Sequence, residues 1–386
     1  MAPMLDTSVC FVVNTPMRKT FKYRLYLTPA QETILLKTLD ECRWLYNHLL
    51  EQRKTAWEQD GRSLSLYDQQ ADLPALKRER TPLKIAYSQV LQHVAVRIDL
   101  AFQAFFRRVK AGETPGFPRF RGQERYTSLT YPQLANGCVR VDAERRLVRV
   151  AHVGDLRIVY HRPLEGMPKT ATLSVSSTGK WSICFSCACA DPTPLPKTGQ
   201  EVGIDVGLTT FATLSTAEQI ANPHFFRTDE KALGKVQKRL SKEEKGTPER
   251  KKRRKPVARV HERIGWRRSN FAHQHSRRLV NAHDLIAVED LSIHRMLHNH
   301  CLAKSISDAA WNQFVQLLSY KAAWAGREYI AVNPASTSQD CSACGHRQKM
   351  PLSERTYTCP CCGLVIDRDL NASLNILGVG RHTLAS

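Results

Sequence analysis

Two cysteine pairs set the tightest constraint on how this chain folds. Cys341-Ser-Ala-Cys344 and Cys359-Pro-Cys-Cys362 are CxxC knuckles with 14 residues between them. In a knuckle, backbone N–H groups reach the thiolate sulfurs, and four thiolates close a tetrahedral zinc site. Gly345 and Gly363 follow the knuckles and supply the left-handed backbone such turns need. The spacing is just shorter than the usual linker for this pattern. Unpaired core cysteines would not come as two matched pairs with flanking glycines. A structural Zn²⁺ on Cys341, Cys344, Cys359 and Cys362 is therefore expected, with Cys361 the spare thiol. A closed four-sulfur site keeps no open position, so this zinc holds structure and does not catalyse. Of twelve cysteines, five crowd into residues 341–362, which fits reduced thiols and a cytoplasmic protein better than a disulfide framework. The CxxC inside CFSCAC (184–189) lies in an alternating strand with no second pair nearby and reads as core.

Three acidic residues stand where acid is out of place. Asp205 follows Val202-Gly203-Ile204, Glu289 follows Leu285-Ile286-Ala287-Val288, and Asp369 lies in DRDLNASLNI just after the cysteines. A carboxylate at the end of a buried strand is costly unless neutralised, and a divalent cation is the usual neutraliser of several that converge. Singly, each has an ordinary use: a turn hydrogen bond for Asp205, a buried ion pair for Glu289, and the cap of a helix starting at Leu370 for Asp369. The chain carries 57 Lys and Arg against 36 Asp and Glu, a net charge of +21. Such an excess calls for a polyanionic partner bound with strong salt dependence. A metal-loaded acidic centre on a basic body points to phosphodiester chemistry on nucleic acid. No amphipathic anchor or long apolar span favours a membrane surface instead. The chain start, with Asp6 and a short apolar stretch from Cys10 to Val13, does not read as a secretory signal.

Periodicity organises the rest. Residues 20–27 alternate, with Phe21, Tyr23, Leu25 and Leu27 on one face, and predict a strand. Thr28-Pro29 starts a mainly helical stretch reaching about Ala111. GETPGFPRFRG follows as a Gly/Pro loop, and short strand-like runs then fill residues 126–189, separated by turn signals such as Asn136-Gly137 and Thr178-Gly179. This predicts a small antiparallel sheet or barrel with a helical insertion after its first strand. DPTPLPKTG (191–199) reads as a linker with a domain boundary near 197. Beyond it we expect strand-turn-strand over 200–226, a long basic helical region over 227–280, a strand at 285–289, one helix over 305–326 and a strand at 327–332.

The order Asp, Glu, Asp, with two acids on strand ends and the third opening a helix, resembles the RuvC-like branch of the ribonuclease H fold. In that fold three carboxylates hold two Mg²⁺ ions about 4 Å apart. The stretch TSQDCSACG…YTCPCCGLVIDRDLNASLNI is similar to the C-terminal signature of TnpB (OrfB), transposon-encoded proteins ancestral to type V CRISPR nucleases. FKYRLYLTPAQ, RWLYNHLL, GFPRFRG, VGIDVGLTTFATLS, IAVEDLS and SISDAAWNQFVQLLSYKAAWAG follow the family's order over residues 20–378. The resemblance implies an α/β multidomain chain: a RuvC-like ribonuclease H fold (198–338 and 365–378) with an inserted zinc ribbon (339–364). It also implies an N-terminal wedge β-barrel (20–28 and 113–197) carrying a helical recognition insertion (29–112), between an extension (1–19) and a tail (379–386). Asp205, Glu289 and Asp369 would be catalytic and bind Mg²⁺, with Asp367 a neighbouring acceptor.

The implied activity is RNA-guided cleavage of double-stranded DNA by a monomer on one transposon-derived guide RNA. The protein reads a short motif beside the target, and base pairing supplies most of the specificity. Two rivals remain: an RNA-guided DNA-binding repressor without cleavage, and a strand-transfer transposase. The presence of all three acids disfavours the first; their order, not Asp, Asp, Glu, disfavours the second. Residues 227–280 hold 19 Lys and Arg against 6 Asp and Glu. Lys252, Arg253, Arg254, Arg259, Arg263 and Arg267 there, with Arg119 and Arg121 in the Gly/Pro loop, are candidate contacts to phosphates and duplex shape. Trp266 and Phe271 could stack on bases, though core packing is the commoner use.

Overall fold

Alternation builds the first strand as expected. In β1 (Arg18–Tyr26) Phe21, Tyr23 and Leu25 are buried while Lys22 faces outward, in a computed structural model that describes residues 17–351 and 354–385. The Asp6 and Cys10–Val13 readings lie outside those residues. Thr28 caps α1 (Pro29–Asp60) through a reciprocal box with Gln31, and Pro29 occupies the first turn, where its missing N–H costs nothing. α2 (Leu66–Ala71), α3 (Leu73–Glu79) and α4 (Ser88–Lys110) follow. Leu35, Leu39, Leu45 and Leu49 of α1 pack with Val90, Val94 and Ile98 of α4. Phe106, at the end of the apolar series on α4, is exposed.

The chain then returns to the sheet as β2 (Ser128–Tyr131), β3 (Val139–Asp142), β4 (Leu147–Val150), β5 (Gly154–Ile158), β6 (Met167–Val175) and β7 (Trp181–Ala188). Their order is β2-β6-β7-β1-β5-β4-β3, and every recorded pairing is antiparallel. Where a closed barrel was expected, the hydrogen-bonded ladder ends at β2 and β3, which do not pair. Cys184 and Cys187 sit on β7, with Cys187 in the core, so this CxxC is structural filling.

The second unit separates from the first between Asp191 and Pro192, at the start of the Pro-rich stretch and not near 197. The reason is local: Leu195 N–H donates to Ala325 O at 2.9 Å and Arg327 Nη2 to Pro196 O at 2.8 Å, so the stretch packs on the second unit. That unit holds β8 (Glu201–Val206), β9 (Thr210–Leu214), β10 (Gln219–Ala221), α5 (Phe225–Ser241), α6 (Pro248–Ala282) and β11 (Leu285–Glu289). It continues through α7 (Ile293–Met296), α8 (Ala303–Ala309), α9 (Trp311–Ala325), β12 (Glu328–Val332), β13 (Thr356–Thr358), β14 (Val365–Asp367) and α10 (Arg368–Ala385).

Three expectations change here. The basic region is two helices, because Gly246 has φ 97° and Thr247 with Pro248 starts α6 afresh. The expected helix over 305–326 breaks at Ala310, which takes φ 56°; just before the break, buried Asp308 accepts from Phe226 N–H at the start of α5 and from Arg268. Residues 379–385, set apart as a tail, belong to α10, which runs to Ala385.

Candidate active site

β8 and β11 are adjacent parallel strands in the order β10-β9-β8-β11-β12. Ile204 lies opposite Val288, so Asp205 and Glu289 each stand one step past that pair, at the carboxyl ends. β9 leaves β8 on one side and β11 joins on the other, which makes this edge a switch point of an open sheet, where such folds bind ligands.

The third acid arrives on α10, which lies against the sheet because two glycines let it. A Cβ on Gly203 would meet Ser373 O at 2.1 Å, and one on Gly380 would meet Ala287 Cβ at 2.7 Å. Asp367, not Asp369, caps α10, accepting from Leu370 N–H at 2.9 Å. Asp369 is thereby left in the first helical turn with its carboxylate available.

Electrostatics tie Asp205 to the other two acids. Burial, then Glu289 and Asp369, push Asp205 up to about 8. Burial also raises Glu289, against the Thr337 hydroxyl that donates to it. Burial raises Asp369 too, against Arg355. Arg355 Nη1 lies 3.4 Å from Asp369 Oδ2, and its Nη2 donates to Thr209 Oγ1 at 3.2 Å. Three desolvated carboxyls, with Asp367 adding to the negative charge and the Arg355 and Arg368 guanidiniums opposing it, are short of positive charge, and a divalent cation would supply it. The donor set fits Mg²⁺: hard oxygens, partly exposed, at a strand-end opening. The acids are nevertheless loosely gathered. Among the described residues, the four cysteines are the one His/Cys/Asp/Glu group whose ligand atoms all come within 4.8 Å of one another. A two-ion site tolerates this, because outer carboxylates can serve different ions about 4 Å apart.

The cysteines meet a stricter test. Cys341 and Cys362 sulfurs are 3.6 Å apart, as are Cys344 and Cys359. Tetrahedral Zn–S bonds of about 2.3 Å require sulfurs about 3.8 Å apart, whereas a disulfide needs about 2.05 Å. Gly345 and Gly363 both take φ 74° and donate back to Cys341 O and Cys359 O, forming the knuckles. Backbone N–H of Cys362, aimed at Cys359, draws that thiol down to about 6. Asn371 and Asn375 of α10 tie this ribbon down, donating to Asp340 O at 2.8 and 2.6 Å, and Asn375 also donates to Thr337 O. Thr337 and Arg355 were not singled out from the sequence. Thr337 heads the TSQDCSACG stretch and Arg355 lies just before YTCPCCG, with nothing in their spacing to mark either as a partner of the acids.

The basic candidates divide. Arg263 and Arg267 both bond Asp229 of α5, so they pin α5 to α6 where phosphate contacts were expected. Lys252, Arg253, Arg254 and Arg259 lie on exposed positions of α6, Arg253 within 3.5 Å of Glu243. Arg121 sits over the Tyr46 ring and Arg119 is exposed. Phe271 packs edge-on against Phe211, while Trp266 is exposed. No described helix is long and apolar enough to cross a membrane.

Three family profiles match in sequence order: "Helix-turn-helix domain" at residues 17–62, "Probable transposase" at 184–300, and "Cas12f1-like, TNB domain" at 311–376. The first covers β1 and the single unbroken helix α1, not two helices around a turn. A Streptomyces pristinaespiralis protein, provisionally named an RNA-guided DNA endonuclease, is 39% identical over 376 residues, covering 94% of this chain and 90% of that one. The chain belongs to the TnpB (OrfB) family. A second family protein, InsQ of Escherichia coli K12, carries the same provisional name and is 29% identical over 95% of this chain and 93% of its own. The solved mini-RNA-guided endonuclease CRISPR-Cas_phi3 shares the fold, with a TM-score of 0.57 over 95% of this chain and 92% of that one at 9% identity.

Proposed function

We propose that this TnpB-family chain is an RNA-guided DNA endonuclease that hydrolyses phosphodiester bonds at Asp205, Glu289 and Asp369. The single observation carrying this is the gathering of three desolvated carboxyls at one switch point, each with its proton affinity raised. The sheet order supports a RuvC-like domain, and the names of the relatives support a guide RNA and DNA as partners; that the DNA is double-stranded is part of this proposal.

Asp205, Glu289 and Asp369 would hold two Mg²⁺ ions, which when bound supply water activation and stabilise the leaving 3′ oxygen. Asp205, whose proton affinity both Glu289 and Asp369 raise, is the acid that would gain most from a bound cation. Thr337 keeps Glu289 oriented through its hydroxyl, and Arg355 balances Asp369 while leaving donors free for a phosphate. The four cysteines would hold Zn²⁺ and, through Asn371 and Asn375, fix the register of α10. Lys252, Arg253, Arg254 and Arg259, with Arg119 and Arg121 on the other unit, would neutralise phosphates.

The test is cleavage of a target duplex by guide-loaded protein with Mg²⁺. Wild type should cut and Asp205→Ala should bind RNA but not cut. Cutting by Asp205→Ala overturns the assignment, and binding without nicking by wild type identifies a repressor.

A further inference from the structure

Ser336 takes φ 69°, a left-handed backbone that a residue with a Cβ holds only where its surroundings impose it. Asn333 Oδ1 accepts from Ala335 N–H at 3.0 Å, and Ser336 O accepts from the N–H of Gln339 and of Asp340 at 2.8 and 3.0 Å. The turn so formed aims one side chain. Thr337 is buried, and its hydroxyl has a single proton to give. Glu289 Oε1 takes that proton, since Pro334 O at 3.2 Å is the longer and uncharged acceptor. From the other side the turn is held by α10. Asn375 Nδ2 donates to Thr337 O at 2.8 Å and to Asp340 O at 2.6 Å, which uses both its protons. Asn371, one turn earlier on the same face, donates to Asp340 O at 2.8 Å and accepts from Ser342 N–H at 2.9 Å.

One helix therefore reaches two of the three acids. It carries Asp369 in its first turn, and through Asn375 it holds the backbone of the residue whose hydroxyl meets Glu289. Hydrogen bonds that orient a ligating carboxylate are part of a metal site's affinity, and breaking one typically costs about 10–100-fold. We propose that Asn375 is a positioning residue of the carboxylate centre: by tying Thr337 to α10 it sets Glu289 relative to Asp369, so that both can serve one divalent-cation site. An asparagine that merely seated the ribbon would change stability and zinc retention without changing how tightly the acids bind such a cation. The proposal rests on the nuclease reading of the three acids and adds to it a residue that acts from behind them.

The experiment pairs two readouts: single-turnover cleavage by guide-loaded protein across Mg²⁺ concentrations, and Mn²⁺ binding to the zinc-loaded full chain followed by electron paramagnetic resonance. Asn375→Ala and Thr337→Val should each raise the Mg²⁺ half-saturation of cleavage and the Mn²⁺ Kd about tenfold. Thr337→Ser, which keeps the hydroxyl, should stay within about twofold of wild type. The double variant should also lie about tenfold above wild type, because both changes release the same contact. Thermal melting restricts the comparison to folded protein, and Asn375→Ser takes the place of Asn375→Ala if the latter does not fold. A folded Asn375 variant that melts lower yet keeps the wild-type Mg²⁺ half-saturation and Mn²⁺ Kd overturns the positioning role alone. So does a double variant about a hundredfold above wild type, the product of two independent changes. Wild type that neither cuts nor binds Mn²⁺ overturns the nuclease reading, and the positioning role with it.

Discussion

The cysteine ribbon and the carboxylate set are both candidate metal centres, and they are built in opposite ways. The ribbon's four sulfurs come from 22 consecutive residues and already stand at tetrahedral spacing. The acids come from β8, β11 and α10, more than 160 residues apart from first to last, and gather more loosely. Thiols near neutrality pack without strong repulsion. Carboxylates repel and each resists desolvation, so their approach depends on the sheet register, on two glycines and on a counter-charge. The ribbon is specified locally; the acidic site is an achievement of the whole unit.

Breaking the acids should have the largest effect. Alanine at Asp205, Glu289 or Asp369 should lower Mg²⁺-dependent cleavage by at least about 10³-fold with RNA binding kept, read by gel cleavage and filter binding. Breaking the ribbon should cost fold and function together. Cys359→Ser should lose bound zinc, measured by mass spectrometry of the metal, and should lower both melting temperature and cleavage, since apo ribbons of this kind unfold.

Next comes the contact that brings the acids together. Gly203→Ala drives a methyl into Ser373 O and should destabilise by about 1–3 kcal/mol, seen in denaturant melts. It should also reduce cleavage more than a surface Gly→Ala of equal stability cost.

The smallest effect is a gain. Folded Asp205 keeps its proton to about pH 8, whereas the free carboxyl titrates near 3.8. The folded state therefore binds the extra proton between those values, and metal-free stability falls as pH rises through that window. Asp205→Asn removes this loss. Its melting temperature without divalent ions should exceed wild type little at pH 4 and most at pH 8. An equal gain at both pH values would mean Asp205 is not held protonated by its surroundings.

What the sequence could disclose follows the same division. The knuckles, β1, β11 and the three acids carry their signal in adjacent residues, and the structure builds those elements at the expected positions. Arg355 and Thr337 escaped because their roles depend on the fold bringing the ribbon base over the strand ends. The break at Ala310 escaped because Trp311, Phe314, Leu317 and Leu318 keep helical spacing past it, and the stop is set by Asp308 serving α5. Arg263 and Arg267 read as phosphate contacts because their spacing is that of an exposed face; only Asp229 on a neighbouring helix assigns them elsewhere. Closure of the first sheet depends on pairing between its edge strands, which alternation cannot report.

The most direct measurement is diffraction from crystals grown with Mn²⁺, using its anomalous signal. Anomalous peaks bounded by Asp205, Glu289 and Asp369, and absent in Asp205→Ala crystals, are the expected result. Manganese bound elsewhere, with those three carboxyls making no contact to it, would contradict the account.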